Sequence, residues 1–286
     1  MTTQSPVIII GMHCSGTSLV THMLEKMGLF VGGKKDWHNE ALFFQNLNRW
    51  LLRQCGGSWD HPEPIKALLS DQEIRSLATG YLDHMLKSPK VISYLGISQY
   101  VKYKKPINLN IPWGWKDPRN TFTLPLWLDI FPQAKIIHIH RHGVDVAKTL
   151  QKRREKLLQD AKRKYSRFKS LYWLRPKKGG FTDSIHVGSL KSGLALWKAY
   201  LNEARSHVSS LNKQAVEVKF EDLLSDPINN LKILADFAGL PVKQELVDDL
   251  VRIIHKNKMY SYRNNKKLKA FAAENDYHLK QHGYSS

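Results

Sequence analysis

The stretch from Pro6 to Leu24, PVIIIGMHCSGTSLVTHML, decides the fold. Val7 to Ile10 form a short β-branched run with no alternation, the pattern of a strand buried on both faces. A glycine-bounded loop follows, Gly11-Met12-His13-Cys14-Ser15-Gly16, and Thr17-Ser18 open an apolar segment with helical spacing. The glycines let the chain turn sharply at this point. Free N–H groups at the start of such a helix point back into the loop, and with the helix dipole they favour an anion there.

The loop matches most of a nucleotide-binding P-loop, whose pattern is Gly, four residues, then Gly-Lys-Ser/Thr with the lysine on the β/γ-phosphates. Gly11 and Gly16 keep that spacing and Ser18 follows, but the lysine position holds Thr17. A triphosphate calls for that cation. A single phosphate bearing a sulfonate can be held by backbone amides and hydroxyls. On these residues the chain resembles the PAPS-dependent sulfotransferases, whose 5′-phosphosulfate loop is similar. The resemblance implies that His13, Cys14, Ser15, Gly16, Thr17 and Ser18 bind the sulfonate donor PAPS. A strand–loop–helix that holds no ligand is the plainer reading of the same residues.

The 286 residues suffice for a full core, and 42% of them are apolar. The two cysteines, Cys14 and Cys55, make no disulfide framework and lack metal-ligand spacing. No apolar run approaches a membrane span, and no basic-then-apolar leader opens the chain. A cytoplasmic protein in a reducing compartment is the expectation. The formal charge of +19 calls for an anionic partner without saying which.

Between Lys34 and Asp60, Glu40, Phe43, Phe44, Leu47, Trp50 and Leu51 recur at helical spacing, so the aromatic pair reads as core. Glu40 sits where a carboxylate favours a helix start. In the glycosaminoglycan branch of the sulfotransferases a glutamate shortly before a Phe-Phe pair is the catalytic base. Glu40-Ala41-Leu42-Phe43-Phe44 resembles it, which implies Glu40 as base with His38 in reserve.

Pro64 to Lys87 reads as helix, and Lys87 to Pro112 carries mixed signals that assign no element. Trp113-Gly114-Trp115-Lys116-Asp117-Pro118-Arg119 reads as a short strand running into a charged turn, with proline stopping any helix. Ligands collect at such strand ends in open α/β sheets. A surface charge cluster is the bland alternative, worth little energetically. The segment resembles a GWKDPR stretch of bacterial sulfotransferase-like proteins, which implies Lys116 and Arg119 near the donor.

Lys135 to His140, then Arg141 to Thr149, repeat strand, turn and helix, as in a parallel sheet. Sulfotransferases bind the 3′-phosphate with an arginine ending this strand and a serine eight residues later. Arg141 matches the first, and Thr149 keeps a hydroxyl at the second. A planar guanidinium suits phosphate because it bonds bidentately.

From Lys152 to Lys178 there are twelve Lys/Arg against Glu155 and Asp160, a net +10, with Tyr165, Phe168 and Tyr172 at near-helical spacing. A solvated helix, a nucleic-acid or membrane-surface patch, and an acceptor-binding insertion all fit it. An anionic acceptor or membrane-associated glycan is favoured, with peripheral membrane contact through this segment and no nucleic-acid partner. Leu190 to Val208 reads as helix, Ala215 to Phe220 as strand, and Asp226-Pro227 as a helix cap. Phe220-Glu221-Asp222-Leu223 and the later Gly239-Leu240-Pro241 resemble further family landmarks and read as structural. The basic, polar tail from His255 reads as solvated; the alternative is that Arg263, with Lys266 and Lys267, folds over a nucleotide phosphate.

Taken together, the resemblance runs from Val7 to about Pro241. It implies a P-loop-like α/β fold of three layers, a central, mainly parallel sheet flanked by helices. The expectation is one domain over residues 1–286 with a basic insertion at about 152–180. The implied reaction moves a sulfonate from PAPS to a hydroxyl (or an amine) of a glycan or glycoconjugate acceptor, with PAP as product and no metal. Glu40 would take the proton while the loop and Lys116 stabilise the leaving phosphate. One departure stands out. The family carries Lys or Arg just before Ser-Gly-Thr, where this chain has Cys14, so Lys116 or protonated His13 must supply the cation or activity is weakened. The rival readings are a P-loop small-molecule kinase and a non-catalytic polyanion or nucleic-acid binder.

Overall fold

The computed structural model describes residues 4–177, 179–252, 254 and 258–286. Lys178, which closes the basic run, and His255, where the tail reading starts, lie outside them. Two compact units divide the chain, residues 1–141 with 200–259 and residues 142–199 with 260–286.

The first unit holds a four-stranded parallel sheet in the order β2-β1-β3-β4. β1 is Val7–Ile10, followed by helix α1 (Thr17–Lys26), α2 (Leu42–Gln54), α3 (Ile65–Ser70), α4 (Gln72–Lys87) and α5 (Ile92–Tyr103). β2 (Gly114–Lys116), α6 (Asn120–Ile130) and β3 (Lys135–His140) come next. In register, Ile9 faces Lys116 on one side and Ile137 on the other.

Every β1 residue is buried, as the unalternating run predicts. Val7, Ile9, Ile137 and Ile139 point to one face, where Val20, Met23 and Leu24 of α1 close over them. The opposite face is covered in part by α6. A parallel sheet needs both faces covered, because its crossovers run as helices over them.

In the second unit, α7 (Gly143–Phe168) and α8 (Leu171–Leu174) follow β3 in sequence, and α9 (Leu190–Leu211) contributes residues to both units. Back in the first unit, β4 (Ala215–Lys219) pairs with β3, with Ile136 opposite Ala215 and His140 opposite Lys219. Helices α10 (Phe220–Ser225), α11 (Pro227–Ala238) and α12 (Gln244–Arg252) follow. Asp226 caps α11 by accepting from the Asn229 amide at 3.3 Å, and Gly239 ends it in the left-handed region. Leu231, Leu234 and Ala235 join the α1 core face. The first unit is thus an α/β fold with a central parallel sheet between helical layers.

The tail departs from its reading. It forms α13 (Lys266–Glu274) and α14 (Asp276–Gln281), and Tyr262, Leu268, Ala272, Leu279 and Tyr284 are buried. Asp145 of α7 holds its start, accepting from the Ser261 amide, the Ser261 hydroxyl and the Tyr262 amide at 3.0, 2.7 and 2.8 Å. These anchors outweigh the polar composition that suggested a solvated segment. Arg263 lies over the Tyr260 ring at 4.4 Å, while Lys266 and Lys267 are exposed.

Candidate functional site

The first loop has a positive φ at three residues, Gly11 (131°), Cys14 (68°) and Gly16 (99°). Only glycine fits position 16, since a Cβ there would lie 2.2 Å from the Phe220 ring. The Ser15 hydroxyl donates to the carbonyls of Met12 (2.6 Å) and Ile139 (3.0 Å), so it braces the loop. The Gly11 amide donates to Thr121 Oγ1 at 3.1 Å. Among the described residues, the amides of Gly16, Thr17 and Ser18 find no acceptor. Three donors at a helix start, after left-handed turns, form the concavity that fits a phosphate.

Beside this loop lies a buried charge network. Glu40 stands just before α2, and Lys116 ends β2. Glu40 Oε1 accepts from Lys116 Nζ at 3.1 Å, and Oε2 from Arg119 Nη1 at 3.2 Å and Gln45 Nε2 at 2.7 Å. Arg119 also pairs with Asp117 at 2.8 Å. All four charged residues are buried. The Lys-Asp-Arg turn is therefore no surface cluster, and the small energies of exposed ion pairs do not apply to it.

The aromatic core explains the alignment. Phe44 stacks on Trp115 with ring centroids 3.9 Å apart and planes within 4°. That contact lands the start of α2 against β2, bringing Glu40 to the Lys116 ammonium. Asn48, one helical turn beyond Phe44, donates to Asp117 (2.9 Å) and Asn120 (2.7 Å). Its carbonyl accepts from Thr123 Oγ1 and Trp127 Nε1, each at 2.8 Å. A buried amide with all four hydrogen bonds made fixes the strand end firmly.

Electrostatics follow from this geometry. Burial by itself drives the Glu40 carboxyl upward, but the charges of Lys116, His13 and Arg119 outweigh it and hold the group well below the usual carboxylate range. Burial raises the Asp117 carboxyl, with Arg119 opposing. Burial would lower the Arg119 guanidinium, yet Asp117 and Glu40 drive it higher. The network rests with Glu40 ionised between two cations.

The other sequence-read residues take distinct places. His13 is buried edge-on to Trp59, with ring centroids 4.6 Å apart. Cys14 is half-buried and brings no positive charge to the loop. Thr17 is buried and Ser18 half-buried at the helix start. His38 sits at the tip of a tight turn that Lys35 and Ala41 close as a bridge, its ring stacked on Trp37 at 4.2 Å. Trp37 is 88% exposed. Arg141, at the end of β3, donates from Nη2 to the Lys258 carbonyl at 2.6 Å and lies over the Phe220 ring at 5.1 Å. Thr149 is on α7 in the second unit, exposed, its hydroxyl donating to the Asp145 carbonyl at 2.7 Å.

The sequence reading misses Gln45, Asn48 and Asn120 as parts of the network, and it gives Asp117 a place in the charged turn but no role. Its available signal is the polar pair Gln45 and Asn48, three apart on the apolar face of α2. Among the described residues no group of three His, Cys, Asp or Glu could hold a metal ion.

A family model described as the sulfotransferase family matches residues 6–244, which span the loop, the charge network and Arg141. The chain belongs to the sulfotransferase family. Its reaction class is sulfonate transfer, and neither a kinase nor a non-catalytic polyanion binder is favoured. No curated protein sequence matches the chain. Among solved structures it is similar to the sulfotransferase domain from the curacin biosynthetic pathway, with a TM-score of 0.50 at 12% identity over 96% of this chain and 98% of that one. That likeness concerns the fold alone. Sulfotransferase STF1 from Mycobacterium tuberculosis follows with 0.49 at 15% identity, covering 88% of this chain and 72% of that one. Mouse sulfotransferase SULT7A1, solved in complex with PAP, gives 0.42 at 14% identity, covering 90% and 65%.

Proposed function

We propose that this sulfotransferase moves the sulfonate of PAPS to a hydroxyl of a glycan or glycoconjugate. One observation carries the reading: three amides without acceptors lie beside a strand end where a buried lysine and a carboxylate are paired. When bound, PAPS supplies an activated sulfonate and leaves as PAP. Gly16, Thr17 and Ser18 are the residues to hold its 5′-phosphate, and Arg141 the residue to hold its 3′-phosphate.

Within this proposal Lys116 has two tasks. Among the described residues Glu40 is its one carboxylate partner, whereas Arg119 is also held by Asp117. Lys116 can therefore exchange Glu40 for an anion in the loop while Arg119 stays in place. The exchange brings positive charge to the loop that Cys14 does not supply, where charge develops on a leaving phosphate. It also removes one cation from Glu40 and so raises the affinity of that carboxylate for the acceptor's hydroxyl proton. Glu40 is the base in this scheme, and His38 is the reserve. The glycan acceptor is supported by the Glu40-to-Phe44 resemblance and by Trp37, whose flat exposed ring, three residues before Glu40, suits stacking on a sugar.

The test is calorimetric titration of PAP, against ATP with magnesium, into the wild type and Arg141→Ala. Expected is PAP binding weakened roughly 10- to 100-fold by the substitution, the range for charged hydrogen bonds, with no preference for ATP. Absent PAP binding, or a magnesium-dependent preference for ATP, would overturn the proposal.

A further inference from the structure

We infer that the second unit carries a docking face for an anionic lipid bilayer, formed by the outer part of α7 with α8. The inference does not depend on the donor-site reading. Up to Leu150, α7 is a core helix, with Val144, Val146, Ala147 and Leu150 buried; beyond Leu150 none of its residues is buried. The outer part is nevertheless folded. Arg153 pairs with Asp183. Tyr165 stacks on Tyr172 at 5.8 Å, tying α8 to the end of α7, and meets Phe181 edge-on at 5.7 Å.

That arrangement orders the segment and still leaves its largest apolar groups outside. Trp173 is 86% and Leu174 82% exposed, and Phe168 and Leu171 are exposed as well. Around them in sequence stand Lys162, Lys164, Arg167, Lys169 and Arg175, all exposed. None of these five has a carboxylate partner among the described residues, whereas their neighbour Arg163 meets Asp160 at 3.8 Å.

The occupant must satisfy both halves of the surface. A second copy would bring the same positive face and repel. Nucleic acid would answer the lysines and arginines but leave Leu171 and Leu174 without a role. Water alone answers the charges and not Trp173. An anionic bilayer takes both, because tryptophan settles at the headgroup level, leucine enters the acyl boundary, and basic residues meet acidic lipid. Contact is peripheral: among the described residues no helix is long and apolar enough to cross a membrane.

Sedimentation with vesicles of phosphatidylcholine, with and without phosphatidylglycerol, tests this on the full chain. The expected result is binding only to vesicles containing phosphatidylglycerol. Trp173→Ser/Leu174→Ser should weaken it roughly tenfold or more, and Lys162→Glu/Lys164→Glu/Arg167→Glu roughly a hundredfold. Both sets alter exposed side chains, so circular dichroism should match wild type. Three results overturn the inference: no vesicle binding; binding that salt abolishes but the Trp173/Leu174 change leaves intact; or capture of a single-stranded RNA oligonucleotide in place of vesicles.

Discussion

Replacing Glu40 by Gln isolates the charge in the buried network. The amide keeps the shape and one oxygen, so the Lys116 contact can persist as a neutral hydrogen bond. What is lost is the anion. Lys116 is only 2% exposed, and among the described residues it has no second carboxylate. Arg119 keeps Asp117 at 2.8 Å. Breaking a buried pair from one side costs about 3–5 kcal/mol, because the remaining charge is stranded. A chain of this size loses roughly 2–4 °C of melting temperature per kcal/mol, so the drop should be about 6–20 °C. Lys116→Met alone should cost less, because Glu40 keeps Arg119 at 3.2 Å and Gln45 at 2.7 Å. The double variant should cost about 2 kcal/mol or more less than the two singles summed, since both charges leave together. Urea unfolding and thermal melts of the four proteins close the cycle. Additive losses, or a Glu40→Gln variant that melts with the wild type, would refute the claim that this pair is held by charge. The same variant should also abolish sulfonate transfer if Glu40 is the base.

A second prediction concerns pH. Burial lowers the His138 pKa from 6.5 to about 4, against the hydrogen bond at 2.8 Å that Glu217 accepts from its Nδ1. The unfolded chain takes up this proton as pH falls through 6.5, while the folded chain resists until near 4. Stability present at neutral pH should thus fall by about 3 kcal/mol across that window. Urea midpoints at pH 7 and pH 4.5 measure it, and a His138→Gln variant with the same slope would remove His138 as the cause. Finally, Gly16→Ala should destabilise by roughly 2–4 kcal/mol through its left-handed backbone and the Phe220 clash. Adding Phe220→Ala should not restore full stability, because the backbone strain persists; complete rescue would show that the ring alone forbids a side chain.

The sheet was legible because its signals are local. A run of isoleucines between Pro6 and Gly11 can hardly be other than a buried strand, and Asp226-Pro227 caps a helix wherever it stands. Lys87 to Pro112 was not legible because α5 contains a non-helical Gly96 (φ 72°, ψ 167°), which breaks its periodicity. Pro64 to Lys87 reads as one helix, but Asp71 ends α3 and caps α4 by accepting from the Ile74 amide at 3.0 Å. Lys116, Asp117 and Arg119 could be found from sequence, but their burial could not. Burial there depends on Phe44 meeting Trp115, a contact between elements far apart in the chain. Thr149 keeps the hydroxyl its position implies, yet that hydroxyl already serves the backbone of its own helix, which no sequence pattern reveals.

Phe220 touches two neighbours that are distant in sequence. Its ring fills the space a Cβ at position 16 would need, and it also lies beneath the Arg141 guanidinium. One aromatic ring therefore acts as a spacer block between the first loop and the end of β3. Evolution cannot tune these places one at a time: a larger residue at 16 demands a smaller one at 220, and a smaller one at 220 lets Arg141 sink. Positions 16, 141 and 220 should drift as a set, so the separation between loop and arginine is inherited as a single trait.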